Sequence, residues 1–155
     1  MSDDAQRPGD ALAPVIKEVG VPLDQRRAFE LFTRRIGEWW PLATHSVEGD
    51  RALGCAFEER AGGRLYEIGP DGAEHTWGTV QTWDAPRGLT MTWHAGRGPE
   101  AAQLLEVTFT PSEQGTTVRL VHSGWEALGE EAAQERANYE PGWDYVLSFF
   151  TPIGA

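Results

Sequence analysis

The chain has 155 residues, of which 13 are basic and 24 acidic, and its formal charge is −11; this fits one domain closing a single core and disfavours duplex nucleic acid or an anionic membrane as a partner. Hydrophobic residues at 40% and charged residues at 24% are the mix of a folded globular domain, and seven Trp beside two Met and one Cys are the departure from it. Cys55 is the single cysteine and no CxxC or Cys/His cluster occurs, which excludes an internal disulfide and a structural zinc scaffold.

Residues 1–13 are acidic and lack the basic start and apolar run of a signal peptide, so they are expected to be a disordered tail ahead of a single domain at 14–155. No apolar run reaches about eighteen residues, so no membrane insertion is expected and the location is read as cytoplasmic. Pro14 to Val21 reads as a strand, with Lys17, the only lysine, solvated on it. Asp24 is placed to cap a helix carrying Phe29, Phe32 and Ile36 on one face, with Gly37 as its stop, and Glu38 to Pro41 reads as a turn or second short helix.

From Cys55 to Gly124 the pattern changes to strand lengths separated by Gly62-Gly63, Pro70-Asp71-Gly72 and the Asp84 to Gly88 turn, which predicts an antiparallel meander of six strands. Three of these alternate clearly: Leu89, Met91 and Trp93 share a face, as do Leu105, Val107 and Phe109, and Val118, Leu120 and His122. Simple alternation sets Trp77 and Trp83 opposite Val80, and Gly78 is a candidate bulge. Such one-faced strands need a covering layer. The layer is a C-terminal helix with Tyr139, Trp143, Val146, Leu147 and Phe150 at helical spacing and Pro141 placed to kink it or open its last part. Its acidic residues, Glu126, Glu130, Glu131, Glu135, Glu140 and Asp144, read as a solvated face.

The segments WWPLATHSV (39–47), FEERAGGRLYE (57–67), WGTVQTWDAPRGLTMTWH (77–94), GTTVRLVHSGWE (115–126) and YEPGWDYVL (139–147), in this order, resemble the bacterial branch of the family of activators of a heat-shock-protein ATPase, within the START-like or SRPBCC superfamily. The resemblance spans about residues 14–153. It implies an α+β helix-grip fold: a curved antiparallel sheet of about seven strands around a long C-terminal helix, with two short helices between strands 1 and 2. It also implies an apolar cavity between sheet and helix for a small hydrophobic or aromatic molecule, in a non-catalytic carrier, sensor or stress-related module. A cyclase or hydrolase is the alternative, and the family name raises contact with a chaperone, with a homodimer contact also open.

Residues expected to line that cavity are Trp39 and Trp40 at its mouth, Phe57, Tyr66 and Trp77 from the first strands, and Met91, Trp93, Phe109, Leu120 and His122 from the last three. Tyr139, Trp143 and Leu147 complete the set from the helix. His122 is the candidate acid or base with Glu67 as its carboxylate partner, against a structural reading in which His122 only satisfies a buried hydrogen bond. His94 points away from Trp93 and is read as exposed, while His45 and Tyr66 are candidates for an entrance or simply for the surface. No HxH, HxxxH or HExxH pattern supports a metal, no GxGxxG or GxxxxGK[ST] run supports a nucleotide cofactor, and no GxSxG context activates Ser46, Ser123 or Ser148.

Overall fold

The computed structural model describes residues 11–154. Strand β1 (Val15–Val21) leads to helix α1 (Gln25–Phe32), and two short 3₁₀ turns, Ile36–Glu38 and Gly49–Arg51, fill the connection to β2 (Gly54–Phe57). Strands β3 (Arg64–Ile68), β4 (Glu74–Asp84), β5 (Gly88–Trp93), β6 (Gln103–Ser112) and β7 (Gly115–Ser123) come next, and a 3₁₀ turn at Trp125–Glu131 delivers the chain into helix α2 (Ala132–Gly154). The seven strands form one antiparallel sheet in the order β1-β7-β6-β5-β4-β3-β2, curled around α2 in the helix-grip arrangement. Hairpin turns explain the neighbours from β2 to β7, and the long connection carrying α1 lets β1 close against β7.

Asp24 caps α1 by accepting the Arg27 N–H at 2.8 Å, as its position predicts. The helix stops at Phe32, ahead of the expected Gly37; Ile36 belongs to the separate 3₁₀ turn and still enters the core. Helix α2 runs unbroken through Pro141, which neither ends it nor begins a new one. Of the expected tail, Leu12 packs against the core and the carbonyl of Ala13 accepts from Arg136 Nε at 2.8 Å; residues 1–10 lie outside the described residues. Lys17 is not solvated, because its side chain is 14% exposed and its ammonium sits 2.6 Å from Glu140 and 3.0 Å from Asp144, tying β1 to α2.

Strand β4 departs from plain alternation twice. Its pairing with β3 skips Trp77 between Thr76 and Gly78, and its pairing with β5 skips Gln81 between Val80 and Thr82. Each extra residue reverses the facing of the residues beyond it in the strand, so Trp77, Val80 and Trp83 all turn toward the interior. Gly78 permits this because a Cβ there would collide with the Thr92 carbonyl oxygen.

The interior between sheet and α2 divides into two ends. At one, Phe29, Phe32, Phe109, Phe150 and Trp39 pack edge to face or tilted, with centroids 5.1 to 5.7 Å apart. Each such ring, fully buried, contributes on the order of 1.5–3 kcal/mol through its area. This end is filled, and the opposite end holds the cavity.

Candidate functional site

Four indoles form the floor of the open end. Trp40, placed by the turn after α1, lies 5.1 Å from Trp77 of β4, 6.0 Å from Trp93 of β5 and 5.9 Å from Trp143 of α2, and Trp93 and Trp143 are 5.4 Å apart. Above them is a cavity of about 320 Å³ walled by the 44–47 loop, by Ala95 and Gly96 after β5, and by one face of α2. That face is Glu135, Asn138, Tyr139, Gly142, Trp143 and Val146, a helical repeat of three and four residues. The volume falls in the range of small-molecule sites.

The buried indole N–H groups are all committed within the protein. Trp40 donates to the His45 carbonyl, Trp77 to Glu67 Oε1, Trp93 to the Tyr139 hydroxyl and Trp143 to His122 Nδ1. Behind this floor Trp39 donates to the Leu31 carbonyl and Trp125 to the His122 carbonyl. The indoles therefore offer a bound molecule ring surface and no polar atom.

Glu67 and His122 do not act on each other, which corrects their pairing as acid and base. Glu67 is fully buried and accepts the backbone N–H groups of Val47 and Glu48, both at 2.7 Å, as well as the Trp77 indole at 3.0 Å. It anchors the wall loop to β3. His122 is fully buried beneath Trp143, outside the cavity lining, and is stacked on Trp125 at 4.0 Å. An indole N–H can only donate, so Nδ1 accepts from Trp143, and Nε2 carries the proton and donates to Gln103 Oε1 at 3.0 Å. Burial pushes the imidazole down to about 3. With both nitrogens occupied and the neutral form enforced, His122 is a structural group.

Of the other residues expected to line the cavity, Trp77, Trp93, Tyr139 and Trp143 do so, and Trp40 does so from the floor, against three other indoles, not at the expected mouth. Trp39, Phe109, Met91, Leu120 and Leu147 are buried in the packed core instead, and Phe57 packs against Trp83 at 6.0 Å. Tyr66 lies on the outer face of β3, beneath the Arg64 guanidinium at 4.4 Å, because it alternates with the buried Leu65 and Glu67. His94 is 6% exposed, not solvent-facing: β5 ends at Trp93, and beyond it the His94 N–H turns to the Trp77 carbonyl while Nδ1 meets the Arg97 carbonyl at 3.0 Å.

The residues not anticipated as lining are Thr44, Ser46 and Val47, Ala95 and Gly96, and the Glu135, Asn138, Gly142 and Val146 side of α2. The helix residues had a usable signal, their spacing with Tyr139 and Trp143. Apart from His45, expected as an entrance candidate, the loop had none, since Glu67 fixes Val47 from twenty positions away. Among the described residues the titratable groups lining the cavity are Tyr139, His45 and Glu135. The Tyr139 hydroxyl accepts from Trp93, and burial, aided by Glu135, raises its pKa. His45, at the rim, stacks on Tyr145 at 4.9 Å with Nδ1 on Thr44 Oγ1, and burial lowers its pKa. Glu135 stands 3.8 Å from Arg97, which is held more closely by Glu131 at 2.7 Å. Among the described residues no group of three or more His, Cys, Asp or Glu has the arrangement of a metal site. Cys55 is buried, and its thiol is pushed up to about 12 by burial, helped by Glu67.

A model of the family described as Activator of Hsp90 ATPase homolog 1-like protein matches residues 23–152. No curated protein matches the chain. Among solved structures, the chain is similar to Txn09, an anthrahydroquino-γ-pyrone synthase solved as a complex, with 35% identity over 91% of this chain and 96% of that one and a TM-score of 0.65. It is similar to CalC, a self-sacrificing resistance protein from Micromonospora echinospora, at 28% identity, 93% and 95% coverage and a TM-score of 0.68. A protein from Mesorhizobium loti shares the fold at 16% identity, 90% and 94% coverage and a TM-score of 0.63.

Proposed function

The chain belongs to the Activator of Hsp90 ATPase homolog 1-like family, and from that premise we propose that its cavity binds a flat, largely apolar aromatic small molecule. The observation that carries this reading is the floor of Trp40, Trp77, Trp93 and Trp143, whose N–H groups all turn into the protein while the rings border about 320 Å³ of open space. Such a surface recognises shape and π-area through ring contact, since the four indoles are only 1–8% exposed and carry little water to displace. Its similarity to a synthase of a fused-ring product supports the same ligand class.

The test is a titration of intrinsic tryptophan fluorescence with a planar tricyclic probe such as anthracene-2-carboxamide, in the wild type and in Gly142→Leu. Gly142 borders the cavity, and a Cβ there meets nothing within 4 Å, so a Leu side chain starts into the space that a ligand needs. Saturable quenching at one molecule per chain that is lost in the variant is the expected result. Equal quenching in both proteins places the probe elsewhere and refutes the reading.

The identity to a synthase also favours a second reading, in which the bound molecule is cyclised. Ring closure by carbon attack on a carbonyl needs a base for a proton beside one carbonyl and a donor for the oxygen of the other. Glu135 or His45 suits the first role and Tyr139 the second, whereas His122 suits neither. Turnover of a poly-β-ketone analogue that survives Tyr139→Phe and both Glu135→Gln and His45→Phe overturns this assignment.

A further inference from the structure

The lining of the cavity is asymmetric in the polar chemistry it offers. Two lining side chains, Tyr139 and Asn138, have a proton with no acceptor among the described residues; Asn138 is exposed, whereas Tyr139 is partly buried and its oxygen accepts the Trp93 indole at 3.0 Å. Because Trp93 occupies one lone pair, the free O–H is turned away from it, and the ring borders the cavity. The buried indoles compete for no ligand oxygen, since each already has an acceptor. The hydroxyls of Ser46 and Thr44 are directed to the carbonyls of Leu42 and Pro41.

Charge is equally one-sided. Among the described residues no Lys or Arg lines the cavity, Glu135 does, and the guanidinium beside it, Arg97, is shared between the carboxylates of Glu131 and Glu135. The chain as a whole carries −11. A ligand carboxylate entering here would leave water for a low-dielectric wall without a counter-charge, beside a like charge.

Resting on the reading of the cavity as an aromatic-ligand site, we propose that it selects an uncharged aromatic ketone or quinone, whose carbonyl oxygen accepts the Tyr139 hydroxyl proton, and rejects the corresponding carboxylate. Burial and Glu135 both favour the protonated phenol, so the donor is present throughout the neutral range. Tyr139 is then a specificity-determining residue, held in place by Trp93 from the facing strand.

Three probes of one outline separate the terms: anthraquinone-2-carboxamide, anthracene-2-carboxamide, which lacks the ketones, and anthraquinone-2-carboxylate. Isothermal titration of the wild type is expected to rank the quinone amide about tenfold tighter than the anthracene amide, the worth of one desolvated hydrogen bond, and at least tenfold tighter than the carboxylate. Tyr139→Phe is expected to bring the quinone amide down to the anthracene amide and leave the latter unchanged, while Glu135→Gln narrows the gap to the carboxylate. If the wild type binds all three equally, or if His45→Phe and not Tyr139→Phe erases the preference, the proposal is overturned although the aromatic-ligand reading stands. If none of the three binds, both fall together. The wild-type ranking tests the selectivity for an uncharged ketone even should a variant fail to fold.

Discussion

His122 and Glu67, which the sequence suggests as an acid–base pair, serve separate structural ends, and each leaves a measurable trace. The His122 imidazole is held neutral, with a proton on Nε2 for Gln103 and a lone pair on Nδ1 for Trp143, and its pKa is about 3 in the fold against an ordinary 6.5. Because the folded value is the lower one, the unfolded chain takes up the proton first as pH falls. The stability that this ring contributes is complete above pH 6.5 and is lost as pH drops toward 3, at about 1.4 kcal/mol per pH unit. Urea melts of wild type and His122→Gln should therefore converge on acidification, with the difference between them shrinking by about 3 kcal/mol from about pH 7 to about pH 4.5. A constant difference would contradict a buried neutral histidine. Glu67 is the second case: two carboxylate oxygens accept three N–H groups, so Glu67→Gln turns one acceptor into a donor facing a donor. A loss of about 1–3 kcal/mol is expected, with amide exchange accelerated at Val47 and Glu48 before the rest of the sheet. That His122 faces inward was legible from its alternation with Val118 and Leu120; the partners it finds there were not, because Gln103 and Trp143 come from other elements.

Strands β5, β6 and β7 are the part of the fold that a period of two describes fully, since Leu89, Met91 and Trp93 and their counterparts through Leu120 are all buried as the alternation demands. Strand β4 is where that reasoning breaks, because a bulge is a property of two paired strands and Trp77 and Gln81 are extra only relative to β3 and β5. Gly78 was the sole local sign. Placing a methyl group there meets the backbone of Thr92, not a side chain that can move, so Gly78→Ala should destabilise by about 3 kcal/mol or more and broaden the Trp77 and Trp93 indole signals in NMR. Helix α2 supplies the converse experiment. Gly142 sits mid-helix, and its missing side chain leaves part of the cavity open between Tyr139 and Val146. Gly142→Ala should raise stability by about 0.5–1 kcal/mol through helix propensity, because nothing within 4 Å opposes the methyl group. A loss of stability in thermal melts would mean that the glycine is needed for the backbone itself, and that the cavity is not simply space the helix leaves unfilled.

At the scale of the whole molecule, the cavity belongs to no single element: the 44–47 loop, the segment after β5 and one face of α2 meet only when the sheet has closed around the helix. Family resemblance and aromatic placement together made the existence of the cavity and five of its lining side chains legible, whereas the loop wall depends on Glu67, which holds it from another strand. A ligand that bridges all three walls binds the folded chain and has no counterpart site in the unfolded one, so occupancy must raise global stability by mass action. At a free concentration about one hundred times its dissociation constant, a ligand adds about 2.7 kcal/mol. For a chain of 155 residues that corresponds to a rise in Tm of about 5–11 °C. Gly142→Leu, with the same walls but a filled interior, should melt at or above the unliganded wild type and show no rise with added ligand. A wild-type Tm that stays fixed while fluorescence reports saturation would mean that the probe binds folded and unfolded chains alike, which a site assembled from three distant segments cannot do.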